Sequence, residues 1–342
     1  MSGLRDRLSA LYALLIAFNV AAWVWAFCVF RGHPLMLGTA LLAYSFGLRH
    51  AVDADHIAAI DNVTRKLVQQ GSRPVGVGFW FSLGHSTVVG LAAFAVALTT
   101  TGLASRFDAW QATGALVGTT ISALFVFAIA AVNLVVMLAV LRALRRVRRG
   151  EVLQEQDFDL LLNSRGLLAR LLRPLFRLVT RSWHMLLLGF LFGLGFDTAT
   201  EISLLGISAT QAEQGMSIWS IMVFPALFTA GMSLIDTTDG VLMLGAYDWA
   251  LVRPLRKLYY NLVITGASVA IALLVGGIEA LGLIGDRLGL EGRFWRGIGS
   301  LNDAFSLLGF AIIGVFIVAW VVSLVAYRYA RLGDVAQMPA RR

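Results

Sequence analysis

Two of the five histidines in this 342-residue chain stand in one short run, Arg49-His50-Ala51-Val52-Asp53-Ala54-Asp55-His56-Ile57. At about 100° per residue of an α-helix, His50, Asp53 and His56 fall within one arc of roughly 120°. Asp55 points elsewhere, and Arg49 sits one turn before Asp53. Two imidazoles and a carboxylate on one face suit a borderline divalent metal such as nickel, cobalt or zinc. A buried salt-bridge network of Arg49 with the aspartates accounts for the charges but not for two histidines.

Three further motifs carry groups of the same kind. In Ser82-Leu83-Gly84-His85-Ser86, the residues Ser82, His85 and Ser86 share a face. Taken alone, His85 reads equally well as a packing residue or a ligand. In Gly193-Leu194-Gly195-Phe196-Asp197-Thr198-Ala199-Thr200-Glu201, the residues Asp197, Thr200 and Glu201 form one stripe. In Gly231-Met232-Ser233-Leu234-Ile235-Asp236-Thr237-Thr238-Asp239, the residues Met232, Asp236 and Asp239 form another. Met232 reads as packing. The carboxylates do not: Asp197, Glu201, Asp236 and Asp239 would repel one another unless cations or protons balance them. A cation path is the economical explanation.

The elements that carry these motifs are membrane spans. The chain is 58% hydrophobic and 14% charged, with a mean hydropathy of +0.77, whereas a soluble domain carries about 25% charged residues. A helix needs about 20 apolar residues to cross a bilayer. Eight runs qualify: Leu11 to Phe30, Leu35 to Ile60, Val75 to Leu98, Gly114 to Leu141, Met185 to Ala209, Ile218 to Ala246, Leu258 to Ile284, and Phe305 to Tyr327. The fold class is therefore all-α, a polytopic bundle of eight spans read as one transmembrane domain over residues 1–342. Ionisable residues inside spans are expensive and mark function by default; here they gather on the second, third, fifth and sixth runs.

The formal net charge of +8 is topological and does not point to nucleic acid. Basic residues collect in alternate loops, above all in a basic loop at 142–182, and basic loops face the cytoplasm. An even number of spans then puts both termini on that side of a cytoplasmic membrane. Within the basic loop, Leu167 to Val179 has the pattern of a helix lying in the interface. The first apolar run is too long for a cleaved signal peptide. The one cysteine, Cys28, excludes a disulfide within the chain and an all-sulfur metal site.

A weak internal echo accompanies these runs. Phe46-Gly47-Leu48 resembles Phe192-Gly193-Leu194, and Gly84-His85-Ser86 resembles Gly231-Met232-Ser233. Partners are three spans apart, which inverts orientation. An inverted repeat of helices one to three on helices four to six would look like this. Pro225 and Gly231 suggest a break in helix six.

At the four motifs the chain resembles the nickel/cobalt transporter family of secondary permeases, over nearly its whole length. The resemblance implies eight spans, cytoplasmic termini, and high-affinity uptake of Ni²⁺ or Co²⁺ without ATP. It carries metal recognition onto His50, Asp53, Asp55 and His56. Asp55 lies off the arc of His50, and a local break in the helix would reconcile the two. Asn19 in helix one and Val52 in the motif resemble the nickel-selective members. The motifs themselves add His85 as a ligand, and Asp197, Thr200, Glu201, Asp236 and Asp239 as the ion pathway and coupling groups. The expected partners are the metal substrate and the bilayer, with no cofactor. The rival reading is a metal-dependent intramembrane hydrolase or protease, but five histidines are too few for a di-iron box enzyme, and Phe196 spoils the aspartyl protease motif. No glycine-rich phosphate loop followed by Lys occurs, so the chain has no ATP-binding motif of its own.

Overall fold

The computed structural model describes residues 2–98, 116–128, 130–131, 134, 137–138, 141–142, 179–194, 199–250, 254–304, 307–315 and 318. Every regular element among them is helical. In chain order they are α1 (Ser2–Val29), α2 (Pro34–His50), α3 (Ala54–Gln69), α4 (Val77–Leu98), α5 (Leu116–Ala128), α6 (Met185–Gly193), α7 (Ala199–Glu213), α8 (Val223–Ala250), α9 (Pro254–Leu288), α10 (Arg293–Asp303) and α11 (Leu307–Val315). A 3-10 turn, Ser182–His184, leads into α6, and a short helical turn, Ile218–Ile221, leads into α8.

Among the described residues, four helical stretches are long and apolar enough to cross a membrane: Gly3–Val29, Val77–Leu98, Ile218–Tyr247 and Thr265–Leu288. Counting two bent helix pairs as one span each raises the number to six. The described parts of the fourth and fifth expected runs include the apolar helices Leu116–Ala128 and Ser182–Gly193. The basic loop lies almost wholly outside the described residues, as does the interfacial helix expected there.

The second run departs from its expected form. It is not one helix through the histidine motif. α2 stops at His50, α3 starts at Ala54, and their axes differ by 51°. Between them the backbone tightens, with Val52 N donating to Arg49 O and Asp53 N to His50 O. Asp53 then opens α3 from an extended conformation. Its carboxylate makes no cap to the α3 backbone, because it is engaged by His50. The expected break in helix six is absent: α8 runs unbroken from Val223 to Ala250. Pro225 occupies its first turn, where a missing N–H costs nothing. The eighth run gains an unexpected preface, because α10 meets α11 at 77°.

Glycines set the packing. With apolar lipid outside, spans associate by close backbone approach at small residues. α2 and α8 are joined in both directions: a Cβ on Gly47 would overlap the Phe228 carbonyl, and one on Gly231 would lie 2.8 Å from the Tyr44 oxygen. α4 and α6 are joined likewise. A Cβ on Gly84 would overlap the Leu186 carbonyl, one on Gly189 the Phe81 carbonyl, and one on Gly193 would lie 2.8 Å from the His85 oxygen. Between these pairs, Gly78 of α4 lies against the Asp236 and Thr237 backbone of α8. α3 is enclosed on almost every side. Asp61, Asn62, Thr64, Arg65 and Lys66 are all buried, an unusual density of polar groups for an interior helix.

Candidate metal centre

The break between α2 and α3 brings His50 and His56 together. His50 ends one helix, His56 sits in the first turn of the next, and their ring centroids are 4.6 Å apart. His85, from the middle of α4, closes the group at 4.8 Å from His50 and 4.9 Å from His56. One ring nitrogen from each histidine lies within 4.8 Å of the others. A first-row metal–nitrogen bond is about 2.0–2.1 Å, so opposed ligands stand about 4.2 Å apart. The three histidines therefore need only a small inward movement to share one ion. All three are buried.

Carboxylates surround the imidazoles in two ways. His50 Nδ1 is 2.9 Å from Asp53 Oδ2. A carboxylate only accepts, so this nitrogen carries the hydrogen and the His50 Nε2 keeps its lone pair. Thr200 Oγ1 lies 3.3 Å from the same Nδ1. On α3, His56 Nδ1 faces Asp236 Oδ1 of α8 at 3.4 Å. This assigns the His56 lone pair to Nε2, a buried atom with no hydrogen-bond partner. Glu201 acts differently. Its Oε1 is 2.9 Å from His85 Nε2 and 3.9 Å from His50 Nε2, and those two nitrogens are 2.9 Å from each other. Glu201 thus lies beside the Nε2 atoms of two imidazoles, whereas Asp53 and Asp236 stand behind theirs. By the same rule His85 Nε2 carries its hydrogen and the His85 lone pair falls on Nδ1, also buried and without a hydrogen-bond partner. An orienting carboxylate behind a ligating imidazole is the usual outer partner of a protein metal site.

The helix ends favour this arrangement. Asp55 lies in the first turn of α3 and Glu201 in the first turn of α7. A helix N-terminus favours negative charge, so both carboxylates sit where the backbone field supports them. The walls are aromatic: Phe81 stands edge-on to His56 at 4.8 Å, and Phe228 is 5.5 Å from His50. Beside His85, Ser86 Oγ donates to the Met232 sulfur at 3.5 Å.

The structure thus brings together His50, Asp53, His56, His85, Thr200, Glu201 and Asp236 from five helices. Asp239 is one turn beyond Asp236, with one buried oxygen lacking a partner. Asp197 lies outside the described residues. Asn19 is not among the clustered imidazoles. Its amide donates to Ala230 O of α8 at 3.2 Å and its oxygen accepts from Tyr44 at 3.0 Å, so it joins α1 to the α2–α8 pair. Val52 lies in the break itself, packed against apolar residues of α8, α9 and α11.

The chain matches the family model described as a high-affinity nickel-transport protein, NicO, over residues 36–326. The chain belongs to the NicO family. A high-affinity nickel transport protein of Cupriavidus necator is 62% identical over 96% of this chain and 94% of its own length. The high-affinity nickel-transport protein NixA of Helicobacter pylori is 44% identical over 93% of this chain and 96% of its own. The cobalt transport protein NhlF of Rhodococcus rhodochrous is 40% identical over 94% of this chain and 92% of its own. No solved structure matches significantly. These NicO relatives are named as transport proteins, which sets the metalloenzyme reading aside.

Sequence reasoning passed over two buried polar groupings. Asp61 of α3 accepts from Tyr247 of α8 and from Ser268 of α9, the latter at 2.9 Å. Ser122 of α5 donates to Glu279 of α9 at 2.9 Å. Glu279 stands in an otherwise apolar run, a signal available from the sequence. Asp61 lies five residues after His56 in a helix already singled out.

Proposed function

We propose that this protein is a multi-pass carrier that takes up Ni²⁺ across the cytoplasmic membrane, with both termini inside. The observation that carries the reading is the buried, unpartnered Nε2 of His56 within a cluster of three buried imidazoles. Leaving a buried acceptor unsatisfied costs about 1–3 kcal/mol, which an arriving cation would repay. His50, His56, His85 and Glu201 contact the ion. Asp53 and Asp236 hold His50 and His56 in the ligating tautomer. Asp55, Thr200 and Asp239, together with Asp197, guide the ion and balance its charge. Asn19 and Val52 tune selectivity through the placement of α8 and of the break. Co²⁺ is a second substrate, since the same donors accept it.

Transport follows from the packing. The spans form an inverted repeat, α2 with α3 corresponding to α6 with α7, and α4 to α8. Two features support this. Both middle spans contain a helix end near the site, at His50 and at Gly193. The paired glycines also correspond, Gly47 with Gly193 and Gly84 with Gly231. The α2–α8 and α4–α6 pairs then rock around a site that both supply, hinging where Gly78 of α4 meets the Asp236 backbone of α8, the usual logic of such carriers.

The test is uptake into proteoliposomes with Ni²⁺, Co²⁺, Zn²⁺ and Mn²⁺ compared. Ni²⁺ should enter at the lowest half-saturating concentration, and His56→Ala should raise that concentration at least about 100-fold, roughly 2.7 kcal/mol of lost binding. Native-like uptake by His56→Ala would remove the site assignment. Failure of all four metals to cross would remove the function.

A further inference from the structure

We infer that Gly309, on the last described span, is a positioning residue for the metal loop and sets its discrimination between nickel and cobalt. The inference rests on the functional reading above and extends it to a helix that carries none of the ligands. Gly309 is buried in α11. A Cβ there would overlap the Val52 carbonyl, lie 2.8 Å from the Val52 carbonyl carbon, and lie 3.1 Å from Ile57 Cδ1. Val52 belongs to the three-residue break between His50 and Ala54. Ile57 follows His56. The hydrogen at Gly309 is thus the surface against which both halves of the histidine motif rest.

The rest of the seat fixes the same segment. Ala51 packs among residues of α1, α2 and α8, while Val52, Ala54 and Ile57 pack with Ile312 and residues of α8 and α9. Adjacent residues of the break are therefore held in two different apolar clusters, and α11 closes the second of them. Any outward push on the Val52 carbonyl moves the backbone between His50 and Asp53, and with it the distance from His50 to His56. A protein site selects among divalent metals by geometry more than by raw affinity. A displaced break should therefore weaken nickel binding and erode the preference for nickel over cobalt together. A merely structural contact would lower the yield of folded protein and leave that preference alone.

The experiment compares Gly309→Ala with Gly314→Ala in the full-length protein in proteoliposomes, using Ni²⁺ and Co²⁺ as the probes. A Cβ at Gly314 meets nothing within 4 Å, so this variant should match the native protein. Gly309→Ala should raise the half-saturating nickel concentration about tenfold, change the maximal rate less, and reduce the Ni:Co preference at least about threefold. Because Gly309→Ala can fail to fold, Ile312→Ala serves as a second variant: it loosens the same seat without inserting an atom and should shift the preference in the same direction. Unchanged affinity and unchanged preference in Gly309→Ala, or, where that variant does not fold, in Ile312→Ala, overturns the inference. His56→Ala run alongside separates the two readings. If it transports normally, the site assignment fails; if it is inactive while Gly309→Ala is native-like, only the role of Gly309 fails.

Discussion

His56 and Asp61 lie five residues apart on α3 and are equally buried, yet their surroundings are opposite in kind. Asp61 has a hydroxyl on each oxygen, from Tyr247 and from Ser268, and so ties α3 to α8 and α9. His56 has one nitrogen turned to Asp236 and the other turned to no partner. Five residues amount to about 7.5 Å of rise and 140° of rotation, enough to move from a joint to a receptacle. The difference teaches that burial of a polar group does not by itself mark a binding site. What points to one is open hydrogen-bonding capacity beside other metal-ligating groups, since Thr64 and Arg65 of the same helix also keep buried atoms without a hydrogen-bond partner but stand outside the histidine cluster.

That contrast can be broken experimentally. The largest effect is expected at Glu201, which shares the centre with two imidazoles. Glu201→Gln should raise the half-saturating nickel concentration about 100-fold, near 2.7 kcal/mol, while Asp61→Asn shifts it less than about threefold. Equal losses from both variants would erase the distinction. Asp53→Asn comes next, at about 10- to 100-fold, the range for an outer partner of a metal ligand. Isothermal titration of the purified variant with Ni²⁺ reads this directly, and retention of native affinity would show that His50 needs no orienting carboxylate.

A pH series sharpens the comparison from the proton side. Only neutral imidazoles coordinate, so protons compete with the metal. Nickel affinity should therefore fall as pH is lowered, by up to about tenfold per unit for each proton displaced. Affinity that rises towards acid pH would contradict ligation by histidine. The smallest effect on binding belongs to Tyr247→Phe. It removes one buried hydrogen bond, about 1 kcal/mol, so the melting temperature in detergent should fall while nickel affinity changes less than about twofold. A large affinity loss would make the Asp61 joint part of the receptacle.

The candidate site was more legible than the scaffold. His50, His56 and His85 could be read because costly residue types stand out against apolar runs, whatever shape the backbone takes. The pairing of His50 with Asp53 survived the break because three residues span less than one turn. The break itself was not legible from periodicity, which presumes a straight helix, although the misplaced Asp55 pointed to it. Pro225 and Gly231 misled for a related reason. A proline in a first turn and a glycine under a neighbouring carbonyl look the same in sequence as a kink. Gly309 could not be found at all, since its meaning lies in a carbonyl more than 250 residues away.

The glycine-clamped pairs carry one more consequence. Phe228, whose carbonyl lies over Gly47, and Leu186, whose carbonyl lies over Gly84, leave no room for single helices to slide. In the proposed cycle His50 and Asp236 ride on one pair, and His85 on the other. A bound ion is then a rivet between two plates, and the plates cannot part until the rivet loosens. Grip and speed oppose each other in such a machine. A variant selected for ever tighter nickel capture should at some point transport more slowly, trapped by its own cargo.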